Sequence, residues 1–188
     1  MLKLNVNNET SKLFAVVLGT AKSNGPAPKM EECYDPKSRE NVLANTYPTE
    51  IDMLDELNQL EEVLVKYNVE VYRPKVIHDY NQIFSRDIGF VIDDFFIISN
   101  ILPERSKEIL AINRVIDLIP KNKIIELPED CHVEGGDVIL HNDYIFIGTY
   151  DGDDYSNFKT ARTNYKAIKF LKEKFTEKKI IPFELIKS

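Results

Sequence analysis

The sequence predicts an α/β fold assembled from a repeated β-β-α-β unit, and three observations predict it. The segment Gly89-Phe-Val-Ile-Asp-Asp-Phe-Phe-Ile-Ile-Ser99 resembles Gly136-Asp-Val-Ile-Leu-His-Asn-Asp-Tyr-Ile-Phe-Ile-Gly148. In each, two runs of β-branched and aromatic residues flank Asp or Asn turn formers, the pattern of a β-hairpin. Each hairpin is followed by amphipathic helical spacing, from Pro103 to about Leu118 and from about Phe158 to Phe175. Each helix then gives way to a strand, Lys123 to Glu126 and Lys179 to Leu185. Recurrence at roughly 50 residues is the spacing at which repeats stack, because a single unit cannot bury its own apolar face.

The elements before the first hairpin follow a looser version of this plan. Leu13 to Gly19 is a short apolar run ending in Gly, a buried strand. Residues 20–48 contain Gly25, Pro26, Pro28, Pro36 and Pro48 without periodicity, and read as an irregular loop and candidate lid. Thr49 can cap a helix whose apolar positions Ile51, Leu54, Leu57, Leu60, Val63 and Leu64 recur at three- and four-residue spacing until Tyr67. Val69 to Tyr72 then alternates as a strand and stops at Pro74. The expected organisation is one domain over 1–188, with units at about 13–73, 88–126 and 136–185.

Composition bounds the class. With 188 residues, 43% hydrophobic and 10% aromatic, the chain suffices for one core. The net charge of -7 gives no support to a nucleic-acid partner, which needs clustered Lys and Arg. Cys33 and Cys131 lie too far apart for a disulfide framework or zinc knuckle, which fits a reducing compartment. No signal peptide is expected, and no run approaches the ~20 apolar residues of a membrane span. A cytoplasmic protein without cofactor or metal is the expectation. Tyr150-Asp-Gly-Asp-Asp-Tyr155 lacks the calcium loop's terminal glutamate and reads as a solvated loop.

Two segments concentrate ionisable and small residues at strand ends: Asn81-Gln-Ile-Phe84-Ser-Arg86-Asp87 before the first hairpin, and Glu134-Gly-Gly-Asp137 before the second. They occupy equivalent places in the repeat, so Asp87 and Glu134 are expected to face one another across a cleft. Two carboxylates so placed suit a planar cation: a guanidinium offers five N–H donors in a rigid fork and is held by bidentate, charge-assisted bonds. On composition alone a structural ion-pair network with Arg86, Arg105 and Arg162 is the favoured reading, and the joint spacing of the motif segments reverses that preference.

These residues resemble the motifs of arginine deiminases and related guanidine-modifying enzymes. Asn81, Phe84, Arg86 and Asp87 match the spacing N-x-x-F-x-R-D, and Glu134 to Asp137 match E-G-G-D. Pro103-Glu-Arg105-Ser-Lys-Glu108 is similar to P-x-R-x-x-E, and Ala161-Arg162-Thr163 to the family's arginine–threonine pair. The resemblance covers Asn81 to Leu185 well and the first 80 residues in outline. It implies a pentein-type α/β propeller of five ββαβ units, about three of which are present here. It further implies that Asp87 and Glu134 are the catalytic residues that bind the substrate guanidinium, with Phe84 packed on its flat face. Asn81, Arg105 and Arg162 would take the substrate's carboxylate end. Arg86 would be a structural partner of acids, and Asp137 a turn or supporting residue, with Gly135 and Gly136 permitting close backbone approach.

The implied reaction is covalent: a cysteine thiolate attacks the guanidinium carbon, an amine leaves, and water or an acceptor amine completes the exchange while a histidine moves protons. The family carries that histidine and cysteine downstream, so the chain is expected to be a truncated, inactive portion with exposed strand edges and a tendency to self-associate, a possible homo-oligomer. His141-Asn142-Asp143 matches H-x-D but falls at the hairpin turn. His132 and His78 read as surface or packing residues. Cys131 is an odd number of positions from Glu134 and would point away from it along a strand. Hydrolysis of the guanidino C–N bond of arginine or a substituted arginine is the leading expectation. An amidino-group transferase, and a non-catalytic guanidine-binding or pentein-shaped interaction protein, are the alternatives.

Overall fold

A computed structural model describes residues 1–33, 36–150 and 162–185. The chain divides into two compact units, Lys12–Ser85 and a second formed by Met1–Ser11 with Arg86–Ser188.

In the Lys12–Ser85 unit, β1 (Ala15–Val17) runs parallel to β2 (Glu70–Tyr72), and among the described residues no hairpin strand joins them, unlike in the two three-stranded sheets. Between them lie α1 (Pro36–Ala44) and α2 (Glu50–Lys66). The capping of α2 is as expected: Thr49 and Asp52 exchange side-chain and backbone hydrogen bonds at the first turn. Asn68, at a φ of 58°, ends the helix, and Val69 N–H donates back to the Leu64 carbonyl. Two expectations are corrected here. Residues 20–48 are not all irregular, because α1 forms inside them; it buries no residue, so no apolar stripe announced it. On α2 the inward positions are Met53, Leu54, Leu57 and Leu64, whereas Ile51, Leu60 and Val63 face outward.

In the second unit, β3 (Gly89–Ile92) and β4 (Phe95–Ile98) form an antiparallel hairpin, and β4 continues in parallel with β5 (Ile124–Glu126). The segment between them is also corrected. Instead of one helix from Pro103, a 3-10 turn over Pro103–Arg105 leads to α3 (Lys107–Ala111) and α4 (Asn113–Ile116). The break falls at Ile112, whose φ of -103° and ψ of 7° leave the helical region while its side chain stays in the core. The same order returns in β6 (Val138–His141), β7 (Tyr144–Thr149), α5 (Tyr165–Lys174) and β8 (Lys179–Glu184), with β6 antiparallel and β8 parallel to β7. Helix α5 is capped by Asn164, whose side chain accepts from Ala167 N–H.

The hairpin turns sit at Asp93-Asp94 and Asn142-Asp143, with Asp93 and Asn142 in the left-handed region that these residue types tolerate. Lys178 ties the turns together, donating to Asp93 Oδ1 (2.7 Å) and the Asn142 carbonyl (2.9 Å). The N-terminal segment adds to this: Val6 exchanges both backbone hydrogen bonds with Asp93, and Asn142 N–H donates to Asn7. Alternation along β6 and β7 turns Val138, Leu140, Ile145 and Ile147 into one core with Ile92, Ile97, Val133, Ala167 and Leu171. No helix among the described residues is long and apolar enough to cross a membrane. The cluster Asp151 to Asp154 and Ala161 lie outside the described residues.

Candidate active site

The site grows from the chain segments that enter β3 and β6. They are joined by one backbone bond and by the Arg86 side chain: Gly135 N–H donates to the Asp87 carbonyl (3.3 Å), Arg86 Nε to the Gly135 carbonyl (3.0 Å) and Arg86 Nη2 to that of Val138 (2.7 Å). The two glycines make this approach possible. A Cβ on Gly135 would stand 2.2 Å from the Arg86 carbonyl oxygen, and one on Gly136 would stand 2.5 Å from Asp87 Oδ1. Arg86 is the partner of an acid, Glu9 (Nη2 to Oε1, 3.0 Å). That acid lies 77 residues away in sequence and carries no local signal. Burial raises the Glu9 carboxyl, but bonds from Arg86 and Leu140 N–H outweigh it and leave it below its ordinary range.

Pro-x-Arg-x-x-Glu places Arg105 and Glu108 three residues apart, one helical turn. Both are buried, and they pair through two bonds, Nε to Oε1 at 2.7 Å and Nη2 to Oε2 at 3.0 Å. The remaining Arg105 arm, Nη1, reaches Asp87 Oδ2 at 2.8 Å. Burial alone would lower the pKa of Arg105, but Glu108 and Asp87 raise it, so it stays a cation. Burial also holds Glu108 above the ordinary carboxylate range against the pull of Arg105.

Glu134 is almost wholly buried, at 3% exposure. Its Oε2 accepts from Arg162 Nη1 at 3.2 Å, and its Oε1 has no hydrogen-bond partner among the described residues. Burial first, then the charges of Asp87 and Asp137, raise its pKa to about 6 against the opposing Arg162 and Arg105. Asp137 is also raised to about 6 by burial, although Thr163 Oγ1 (2.8 Å) and Arg162 N–H (3.1 Å) both donate to its Oδ2. Within this network, Arg105 and Arg162 face four acids: Asp87, Glu108, Glu134 and Asp137. The surplus is negative.

The structure thus brings Asp87, Glu134, Arg105 and Arg162 into one network. Asn81 and Phe84 belong to the other unit: Asn81 Oδ1 accepts from Ile83 N–H, and the Phe84 side chain is 58% exposed. Glu108 and Thr163 stand inside the sequence motifs without an implied role; in the structure Glu108 pairs with Arg105 one turn away, and Thr163 donates to Asp137 across 26 residues, which no spacing announces. Cys131 lies in the core, where burial and Asp130 push its thiol up, conditions opposite to those of a reactive thiolate. Cys33 is buried, with Sγ against the Lys29 carbonyl. His141 closes the β6–β7 hairpin opposite Tyr144.

No family model matches the sequence. The chain is 32% identical over 135 residues to the uncharacterized protein YkgA of Bacillus subtilis (strain 168), a match covering 70% of this chain and 42% of that protein. Among solved structures it is similar to SxtG, an amidinotransferase from Microseira wollei in the saxitoxin biosynthetic pathway. That match has a TM-score of 0.72 at 18% identity and covers 96% of this chain and 62% of that one. It is also similar to dimethylarginine dimethylaminohydrolase from Pseudomonas aeruginosa complexed with citrulline, with a TM-score of 0.65 at 14% identity, covering 94% and 62%. The chain therefore spans less than two thirds of each of these proteins.

Proposed function

We propose that this chain, whose fold is that of the pentein guanidine-modifying superfamily, binds the guanidinium of arginine or a substituted arginine through Asp87 and Glu134. The observation that carries the reading is Glu134 Oε1, a buried carboxylate oxygen without a donor among the described residues, in a network where four acids face two arginines. A buried anionic acceptor left unmade is costly, and a planar cation supplies both the donor and the charge.

In this reading the clamp fixes the guanidinium carbon, a thiolate adds to it, and the C–N bond to the protonated leaving amine breaks. Water then displaces the sulfur to complete a hydrolysis; an acceptor amine in its place would make the reaction an amidino transfer. Neither Cys33 nor Cys131 has the surroundings of such a nucleophile. The thiolate and the proton-carrying histidine are proposed to belong to the span of the similar proteins that this chain does not match. Arg162, whose side chain is 17% exposed, is the proposed anchor for the substrate's carboxylate end. Arg105 already donates to both Asp87 and Glu108 and is buried, which makes it the weaker candidate for that role. Asn81 and Phe84 are proposed contacts on chain order alone.

A second reading, a non-catalytic guanidine-binding or interaction protein, is favoured by the same thiols and by the two arginines already seated on the acids. Calorimetry with L-arginine tests the first reading: binding to the chain, weakened about tenfold or more by Asp87→Ala, is the expected result. No heat with the unaltered chain overturns guanidinium binding. For catalysis, labelled arginine should form a covalent adduct on a polypeptide that includes the further span, and binding without any adduct would decide for the non-catalytic protein.

A further inference from the structure

We propose that Asp137 is a positioning residue: its carboxylate holds the Arg162-Thr163 backbone so that the Arg162 guanidinium covers one oxygen of Glu134 and leaves the other, buried, without a donor from the described residues. The inference rests on the guanidinium-binding reading and extends it to a residue outside the clamp. Asp137 Oδ2 accepts from both Arg162 N–H (3.1 Å) and Thr163 Oγ1 (2.8 Å). The Thr163 hydroxyl in turn accepts from Glu134 N–H (3.4 Å), and the Thr163 carbonyl accepts from Thr149 Oγ1 (2.7 Å). Glu134, Thr149 and Thr163 are all buried. The start of the Arg162 side chain is therefore fixed against the backbone that carries Glu134. Its reach then sets which carboxylate oxygen is met: Nη1 lies 3.2 Å from Oε2, and Oε1 is left without a donor among the described residues.

Both bonds to Asp137 end on one oxygen, which separates geometry from charge. Asn at this position can accept both through its amide oxygen, whereas Ala can accept neither. The charged groups acting on Glu134 are Arg162, Asp87, Arg105 and Asp137. Calorimetric titration with L-arginine of the unaltered chain, Asp137→Asn, Asp137→Ala and Thr163→Val is the test, with circular dichroism to establish that each is folded. Affinity for Asp137→Asn should stay within about threefold, and that of Asp137→Ala and Thr163→Val should fall about tenfold. Equal losses for Asn and Ala overturn the proposal, because charge rather than position would matter. Unchanged affinity for Asp137→Ala with only a lower melting temperature also overturns it. Should Asp137→Ala fail to fold, Thr163→Val carries the comparison.

If the unaltered chain shows no heat with arginine, the guanidinium reading fails by itself and positioning is read without ligand, from the Glu134 carboxyl titration by NMR. Asp137→Ala should raise the Glu134 midpoint by releasing Arg162. Asp137→Asn should lower it, since a negative neighbour is lost while Arg162 stays. A midpoint in Asp137→Ala at or below that of the unaltered chain overturns the proposal.

Discussion

At the scale of single residues, the glycine pair separates fold from site. Gly135→Ala drives a methyl into the Arg86 carbonyl, which belongs to backbone that cannot swing away, and should cost about 1–3 kcal/mol in a denaturant melt. Gly136→Ala meets only the end of the Asp87 side chain, so it should leave the melt nearly unchanged and weaken arginine binding by displacing one arm of the clamp. Equal effects of the two on stability would count against this division. The burial of Glu134 gives a second prediction, on pH. Its folded pKa of about 6 lies above the ordinary 4.5, so in this interval the folded chain holds more protons than the unfolded one. Stability from this group is complete below the unfolded value and is lost as pH rises through the folded value. Between pH 5 and pH 7.5 the unaltered chain should lose about 1 kcal/mol more than Glu134→Gln, measured by urea unfolding at both pH values. The motifs single out Asp87, Arg105, Glu134 and Arg162 in the sequence, but which arginine pairs with which acid is seen only in the structure. The donorless oxygen of Glu134 was not legible, since it depends on where Asp137 and Thr163 hold Arg162.

Among the elements, legibility followed burial. The two hairpins, α2 with its Thr49 cap, and β5 and β8 could be read from pattern because turn chemistry and apolar alternation both pointed the same way. Helix α1 could not, having no buried face, and the Pro103 segment broke at Ile112, where core packing overrode helical spacing. Outward placement of Ile51, Leu60 and Val63 has the same lesson: a periodic stripe tells that a helix exists, not which edge of the stripe is covered. The helix caps give the prediction at this scale. Thr49→Ala removes an exposed cap on α2 and should cost about 1 kcal/mol. Asn164→Ala on α5 should cost more, because the same side chain also accepts from His132 N–H (3.2 Å) and donates to the Asp130 carbonyl (3.0 Å). A smaller loss for Asn164→Ala than for Thr49→Ala in paired urea melts would show that these extra bonds contribute nothing.

For the whole molecule, the question is whether one domain, as the length led us to expect, or two units set the cooperativity. Each unit buries apolar residues to a different depth. Leu18, Ala21, Cys33, Met53 and Val69 are the buried apolar residues of the Lys12–Ser85 unit, whereas the other unit joins β3, β4, β6, β7 and α5 in one cluster around Ile97, Val133, Ile145, Ile147 and Leu171. Opening free energy follows buried apolar contact, so amides of α2 should exchange through openings of lower free energy than those of β4 and β7. Native-state hydrogen exchange over a series of sub-denaturing urea concentrations would show it. Amides of β4 and β7 should rise with the global unfolding free energy and its denaturant slope, and amides of α2 should converge on a smaller value with a shallower slope. Convergence of α2, β4 and β7 on one isotherm would mean that the chain opens as a single cooperative domain despite the thinner core of its Lys12–Ser85 unit. Val6 adds an internal control: it sits in the N-terminal segment yet exchanges both hydrogen bonds with Asp93, so its amide should follow β3 and not the residues next to it in sequence.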